Sequence, residues 1–245
     1  MTREWDAAAY ERLSAPQTRW GQVVVDRLEL DGNERVLDAG CGTGRVTAML
    51  LERLPRGRVI GLDGSAAMIE QARVRFAGEP RIELVVADLT APLPLDGQVD
   101  AILSTATFHW ITDHAALFRN LAPVLRPGGQ LVAQCGGAGN ISSLERIVSE
   151  LGHTFGGGKT FASPEETRAR LAAAGFDDIE TSLHQEPTPI PVADLEAFLQ
   201  TVCLGGIVDG MTDDERKRFV HEVAVRMPEP SIDYVRLNIR ARRPA

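Results

Sequence analysis

The chain has 245 residues, 44% hydrophobic and 24% charged, the composition of a soluble globular protein with room for one large α/β core. Its net charge of −8 argues against a nucleic-acid partner, because binding a polyphosphate backbone rests on Lys and Arg contacts. No apolar run approaches the roughly 18–20 residues of a membrane span, and the opening "MTREWDAAAYERL" is charged and amphipathic, so no membrane association and a cytoplasmic location are expected. The three cysteines, Cys41, Cys135 and Cys203, are too widely spaced for a zinc site, and no metal is expected.

Taken in chain order, residues 1–30 read as cap helices, "WDAAAYERLS" and "QTRWGQVVVDRLEL", with a break at Ala15-Pro16. "RVLDAG" then reads as a short buried strand and "TGRVTAMLLERL" as a helix ending before Pro55. "VIGLD" is a second strand, followed by the helix "SAAMIEQARVRF" with Ser65 as its N-cap. "RIELVVAD" and "QVDAILSTA" are the third and fourth strands, "DHAALFRNLAPVLR" a helix stopping at "PGG", and "QLVAQCG" the fifth strand.

Beyond these lie the helices "NISSLERIVSELG" and "SPEETRARLAAAGF", a sixth strand in "DDIETSLHQEP", two amphipathic helices and a last strand, "DYVRLNIRAR". The alternation predicts an α/β fold with a doubly wound, mostly parallel seven-stranded sheet and a helical cover inserted before the last strand. The expected organisation is a single domain over 1–245: cap helices to 30, a cofactor-binding core over 31–136, helices, sixth strand and cover over 137–230, and the last strand over 231–245. The basic tail "RLNIRARRPA" reads as an edge strand guarded by outward charges. "FGGGKT" lacks the glycine a phosphate loop needs at position 153, which is His153, and reads as a flexible link between helices.

The stretch that carries chemistry is "VLDAGCGTG". Gly40, Gly42 and Gly44 give G-x-G-x-G, with the third glycine one residue too early for the dinucleotide fingerprint. Asp38, two places before the first glycine, would repel a pyrophosphate and suits an ammonium or sulfonium. Asp63 ends the second strand about 20 residues on, where an acid accepts hydrogen bonds from both hydroxyls of a ribose. Asp88 ends the third strand, where its carboxylate and neighbouring amides can read an adenine edge. Together the three acids describe a cationic nucleoside lying across the strand ends; each alone also fits a turn former or helix cap. Cys41 sits inside the loop, where a small side chain is required.

"VLDAGCGTG", "VIGLDGSAAMIEQAR", "VVADL" and "LRPGG", spread over residues 30–135, resemble the ordered motifs of class I S-adenosylmethionine-dependent methyltransferases. The resemblance implies S-adenosylmethionine as cofactor, with S-adenosylhomocysteine as product. It puts Gly40, Cys41, Gly42 and Gly44 under the methionine part near Asp38, and Asp63 at the ribose with Leu62 and Met68 beside it. Ala87, Asp88 and Leu89 would flank the adenine, and Ser104, Thr105 and Ala106 would lie near the sulfonium.

"STATFHWITDHAALFRNLAPVLRPGG" is similar to the trans-aconitate methyltransferase group, which esterifies small carboxylic acids. That resemblance implies a small-molecule methyl acceptor, with Gln17, Tyr10 and Trp110 as substrate contacts, in a monomer or homodimer. A carboxylate, with a pKa of about 4, is ionised at neutral pH and needs no base. It needs only orientation and exclusion of water. A phenol, hydroxyl or amine acceptor would need one, and His109 is then the candidate; packing against the loop base is the other reading of His109. A protein that binds the cofactor without transferring its methyl group is a further alternative.

Overall fold

The computed structural model describes residues 15–155 and 158–245, the first four of them by backbone alone. In chain order these are α1 (Ala15–Val25), β1 (Arg35–Ala39), α2 (Arg45–Arg53), β2 (Arg58–Asp63), α3 (Ala66–Arg75), β3 (Ile82–Val86) and β4 (Val99–Thr105). A 3-10 turn (Phe108–Trp110) precedes α4 (His114–Val124), β5 (Leu125–Gly136), α5 (Ser142–Glu150), α6 (Pro164–Ala173) and β6 (Asp177–Pro189). Short helical turns then run from residue 192 to 208, ahead of α7 (Asp213–Arg226) and β7 (Ser231–Arg242). The first expected helix, "WDAAAYERLS", lies outside the described residues.

The strands form one sheet of seven in the order β3-β2-β1-β4-β5-β7-β6, with β7 antiparallel to both neighbours and the others of the β1–β5 set parallel. The expected doubly wound sheet is therefore present. Strand side chains alternate between two cores, as their period of two requires. Val36, Val59, Ala101, Leu103 and Val132 pack under α1 and α2 with Val24, Leu50 and Leu54. Leu37, Ile60, Ile102, Leu131 and Ala133 face the opposite layer, where Leu117, Phe118 and Leu121 of α4 and Leu171 of α6 cover them. Burial on both faces explains why β1, β2 and β4 read as near-continuous apolar runs.

Local signals set several boundaries. Ser65 caps α3 by accepting the Met68 amide at 3.3 Å, as its sequence predicts. Capping boxes open α6 (Ser163 with Glu166) and α7 (Thr212 with Glu215). The helix expected to run on to "PGG" stops earlier, at Val124. Pro123 stands in its last turn, and the chain enters β5 at Leu125 with a register irregularity against β4.

The tail is not an edge strand. β7 lies between β5 and β6, so the edges are β3 and β6, and β7 alternates buried and partly exposed positions because it packs on both sides. Arg240 and Arg242 do reach outward, pairing with Glu29 at 2.5 and 2.6 Å. Arg236 points inward and is 3% exposed.

A third core belongs to the cover. Leu144, Ile147, Phe198, Leu199, Val208, Phe219 and Val223 pack around Ile232 and Tyr234 at the start of β7. Antiparallel β7 begins where β1–β5 end, so this cover stands over the carboxyl ends of the strands, where ligands of open α/β sheets bind.

Candidate active site

The chain leaves β1 through a loop that only glycine permits at its first turn. The Gly40 and Cys41 amides both donate to the Leu62 carbonyl, at 2.7 and 3.0 Å, which folds the loop back onto the end of β2. Gly40 has φ +86°, and a Cβ there would stand 2.2 Å from Thr107 side-chain atoms. Thr107 donates its hydroxyl to the Gly40 carbonyl at 3.1 Å, so this contact ties the loop to the segment after β4. Gly44, at φ +85°, opens α2, and a Cβ on it would meet Phe76 at 2.4 Å. Gly42 also has a positive φ but faces open space.

The three acids have different settings. Asp38 is fully buried beneath the loop; Oδ2 accepts the Thr47 hydroxyl at 2.7 Å, and Oδ1 finds no hydrogen-bond partner among the described residues. Burial above all pushes its pKa up to about 7; the Thr47 bond opposes this and the nearby Asp63 charge adds to it. Asp63 accepts one amide on each oxygen, from Gly42 and Ser65, both at 2.9 Å. That arrangement fixes the carboxylate plane at the end of β2. Asp88 is exposed and accepts both the amide and the hydroxyl of Thr90 on Oδ1, at 2.8 Å each.

These residues open into a cavity of about 670 Å³. Gly40, Cys41, Gly42, Asp63, Met68, Ala87, Asp88, Leu89, Thr105, Ala106, His109 and Trp110 all face it. Asp38, Gly44, Leu62 and Ser104 stand behind its wall. Leu62 contributes its carbonyl to the loop, and Ser104 donates its hydroxyl to the Ala39 carbonyl at 2.7 Å. The Cys41 thiol is pushed well above its ordinary value, by burial first and then by Asp38 and Asp63, so it is no thiolate. Tyr10 lies outside the described residues, as does the side chain of Gln17.

Opposite the strand ends, the cavity wall comes from the cover, from β7 and from the turn after β4. His109 is buried, its ring 5.2 Å from Trp110 and 5.9 Å from Phe161, centroid to centroid. Its Nδ1 accepts the Gly136 amide at 3.3 Å. Burial, then the positive charges of Arg236 and Lys159, hold its pKa well below 6.5. The ring is therefore neutral at physiological pH, and with Nδ1 used as an acceptor its proton sits on Nε2.

Lys159 places its ammonium 4.6 Å from the Trp110 ring centroid and donates to the Cys203 carbonyl at 3.0 Å. Cys203 ends a π-helical turn, Leu199–Cys203, in the cover. Arg236 lies 4.3 Å over the Trp20 ring and donates Nε–H to Gln134 Oε1 at 3.3 Å.

Neither Lys159 nor Arg236 was expected from the sequence. Lys159 falls in the stretch read as a link, and Arg236 in the tail read as an edge. A signal for Arg236 was present: Ile232, Tyr234 and Arg236 occupy alternate positions of one strand, so an arginine shares a face with two core residues. Among the described residues no group of three or more His, Cys, Asp or Glu side chains is placed to hold a metal ion, and no helix is long and apolar enough to cross a membrane.

A mostly parallel seven-stranded sheet with an antiparallel β7, a glycine loop after β1 and an acid closing β2 define the Rossmann-like methyltransferase class. Residues 36–129 match the family model described as a methyltransferase domain, and the fold and this match together support S-adenosylmethionine as the cofactor.

Over 130 residues the chain is 41% identical to trans-aconitate 2-methyltransferase of Azoarcus sp. (strain BH72), covering 53% of this chain and 50% of the relative. It is 37% identical over 131 residues to the protein of the same name from Acidovorax ebreus (strain TPSY), covering 54% and 49%. The chain thus spans about half the length of the curated relatives it matches. Among solved structures, Haemonchus contortus phosphoethanolamine N-methyltransferase 2, in complex with phosphomonomethylethanolamine and S-adenosylhomocysteine, superposes with a TM-score of 0.64 at 18% identity. That match covers 98% of this chain and 57% of the other, and it reports on the fold alone.

Proposed function

We propose that this chain methylates a carboxylate oxygen of a small molecule, using S-adenosylmethionine. The observation that carries the reading is the makeup of the far wall. Lys159, Arg236, the indole N–H of Trp110 and the Nε2–H of neutral His109 gather there as cations and hydrogen-bond donors in an otherwise largely apolar surface. Such a set favours an anion.

The donor half suits the cofactor. Gly40, Cys41 and Gly42 give a backbone that a ligand can approach closely, Asp63 holds a carboxylate of fixed plane at the cavity wall where ribose hydroxyls would lie, and Met68 and Leu89 supply apolar faces in the same wall as Asp88. S-adenosylmethionine brings an electrophilic methyl group on a sulfonium. What the chain supplies is placement. The acceptor is ionised already, its pKa being about 4, so no side chain has to remove a proton. Lys159 and Arg236 replace the water that a carboxylate loses on entry, Trp110 and His109 fix its orientation, and the cover excludes bulk solvent. Gln17 belongs to the same proposal through the family resemblance.

His109 is read here as a donor rather than a base, because the nitrogen that would accept a proton already accepts the Gly136 amide. That weighs against a phenol or hydroxyl acceptor activated by His109. The test is release of S-adenosylhomocysteine across matched sets of carboxylic acids, phenols and amines. Turnover of acids, weakened by Arg236→Met, is expected. Turnover of phenols alone, abolished by His109→Ala, would overturn the carboxylate reading, and cofactor binding without turnover of any acceptor class would overturn methyl transfer itself.

A further inference from the structure

We infer that the acceptor is a monocarboxylic acid with an extended apolar body, not a polycarboxylate. The inference rests on the proposed carboxylate chemistry and adds to it the class of acid. It follows from the charge carried by the cavity and from the surface beyond the cationic end.

Among the described residues the cavity wall carries Arg45, Lys159 and Arg236 against Asp63, Asp88 and Asp209, three basic groups against three acidic ones, and His109 is neutral. S-adenosylmethionine adds a sulfonium, an ammonium and a carboxylate, one net positive charge. A monoanion brings the filled cavity to neutrality. A tricarboxylate would leave two negative charges in excess, in a space where charges removed from water are costly unless paired.

The surface beyond Lys159 and Arg236 points the same way. Ile141, Phe155, Phe161, Val202 and Ile207 line the cavity and pack at their backs against the cover core. All but Ile141 keep part of their surface accessible, so the cover holds an apolar face toward the cavity rather than closing it. Lys159 itself is confined between ring faces, 4.6 Å from the Trp110 centroid and 5.2 Å from that of Phe155, with its ammonium on the Cys203 carbonyl. Glu145 lies close enough to share its electrostatic field, which further limits the anionic charge it can receive. One carboxylate fits at the cationic end, and the rest of the acceptor meets side chains that gain from apolar contact and can pair no further charge.

The experiment measures S-adenosylhomocysteine release by the full chain with straight-chain monocarboxylic acids of increasing length, with the matching dicarboxylic acids, and with trans-aconitate and citrate. Calorimetric titration of the same acids in the presence of S-adenosylhomocysteine gives a readout independent of turnover. Both affinity and kcat/KM should rise about fourfold per methylene until the cavity is full, as burial of each CH₂ predicts, and tricarboxylates should fall at least about tenfold below the best monoacid.

Val202→Thr, which keeps shape and adds a hydroxyl, should lower the ratio of long-acid to short-acid kcat/KM by about threefold or more. An unchanged thermal midpoint in that variant separates this effect from misfolding. A flat or falling length dependence, or a tricarboxylate preferred over every monoacid, would overturn the inference while leaving carboxylate methylation standing. Turnover of phenols or amines with no acid accepted would overturn both.

Discussion

Replacing Asp38 with asparagine should make the protein more stable at alkaline pH and less stable at acid pH. The folded carboxyl is pushed from 3.8 to about 7 because it is sealed under the glycine loop with one oxygen satisfied by Thr47 and the other unpartnered among the described residues. Between those values the native chain keeps a proton that the unfolded chain has lost. Native Asp38 therefore binds more protons than unfolded Asp38, and its contribution to unfolding free energy falls as pH rises. At 1.36 kcal/mol per pKa unit, the separation amounts to about 4 kcal/mol of stability, fully present below about pH 4 and lost as pH passes 7.

His109 acts in the opposite sense. Its folded pKa is depressed, so its contribution is present above about pH 6.5 and lost as pH falls below that value. The difference between variant and wild type cancels this and isolates Asp38. An asparagine keeps the Thr47 acceptor but buries an NH₂ where Oδ1 was, at a cost of about 1–3 kcal/mol. The variant should then be less stable by about that amount near pH 4 and more stable by about 1–3 kcal/mol near pH 8.5. Urea denaturation of the ligand-free protein, followed by far-ultraviolet circular dichroism at several pH values with equal m-values, measures the difference. A difference that stays within about 0.5 kcal/mol across that range would refute a buried, proton-retaining Asp38.

The two glycines of the loop should respond unequally to alanine. Gly40→Ala combines a positive φ with a Cβ driven into Thr107 and should cost roughly 2–5 kcal/mol, whereas Gly42→Ala meets no neighbour and should cost only about 1–2 kcal/mol, both read as denaturation midpoints. Arg236→Lys keeps the charge but loses the planar stack on Trp20 and the bond to Gln134; kcat/KM toward acids should fall about 10–100-fold in steady-state assays. The pH profile of kcat/KM should show no limb from His109 between about pH 6 and 8, since the ring is neutral throughout. A limb near 6.5 that disappears in His109→Asn would contradict the assigned tautomer.

The glycine-loop side of the cavity was legible in the sequence because backbone geometry dictates it. Gly40 and Gly44 mark positions where a Cβ collides, and Asp63 and Asp88 follow strands whose apolar runs announce where they end. Asp38 was read as an acid for the ligand, yet it turns away from the cavity to Thr47; position along a strand does not reveal which way a side chain faces once both faces are buried. Arg236 and Lys159 escaped notice because long-range pairing brings them to the cavity. Arg236 stands opposite Gly136 only through the β5–β7 register, and its strand loses its edge position only when β6 adds outside it. The cover's π-turn, which presents the Cys203 carbonyl to Lys159, has no counterpart in a periodicity of 3.6.

The position of β7 has a consequence for how the cavity comes into being. The wall around the glycine loop is made of residues from 40 to 107, whereas the wall facing it needs Tyr234 and Arg236. The cationic end appears only when β7 threads between β5 and β6, which until then have no hydrogen-bond ladder to each other. The two walls thus differ in contact order: the glycine-loop wall is made by segments near one another in sequence, and the wall of Tyr234 and Arg236 by a pairing across about a hundred residues.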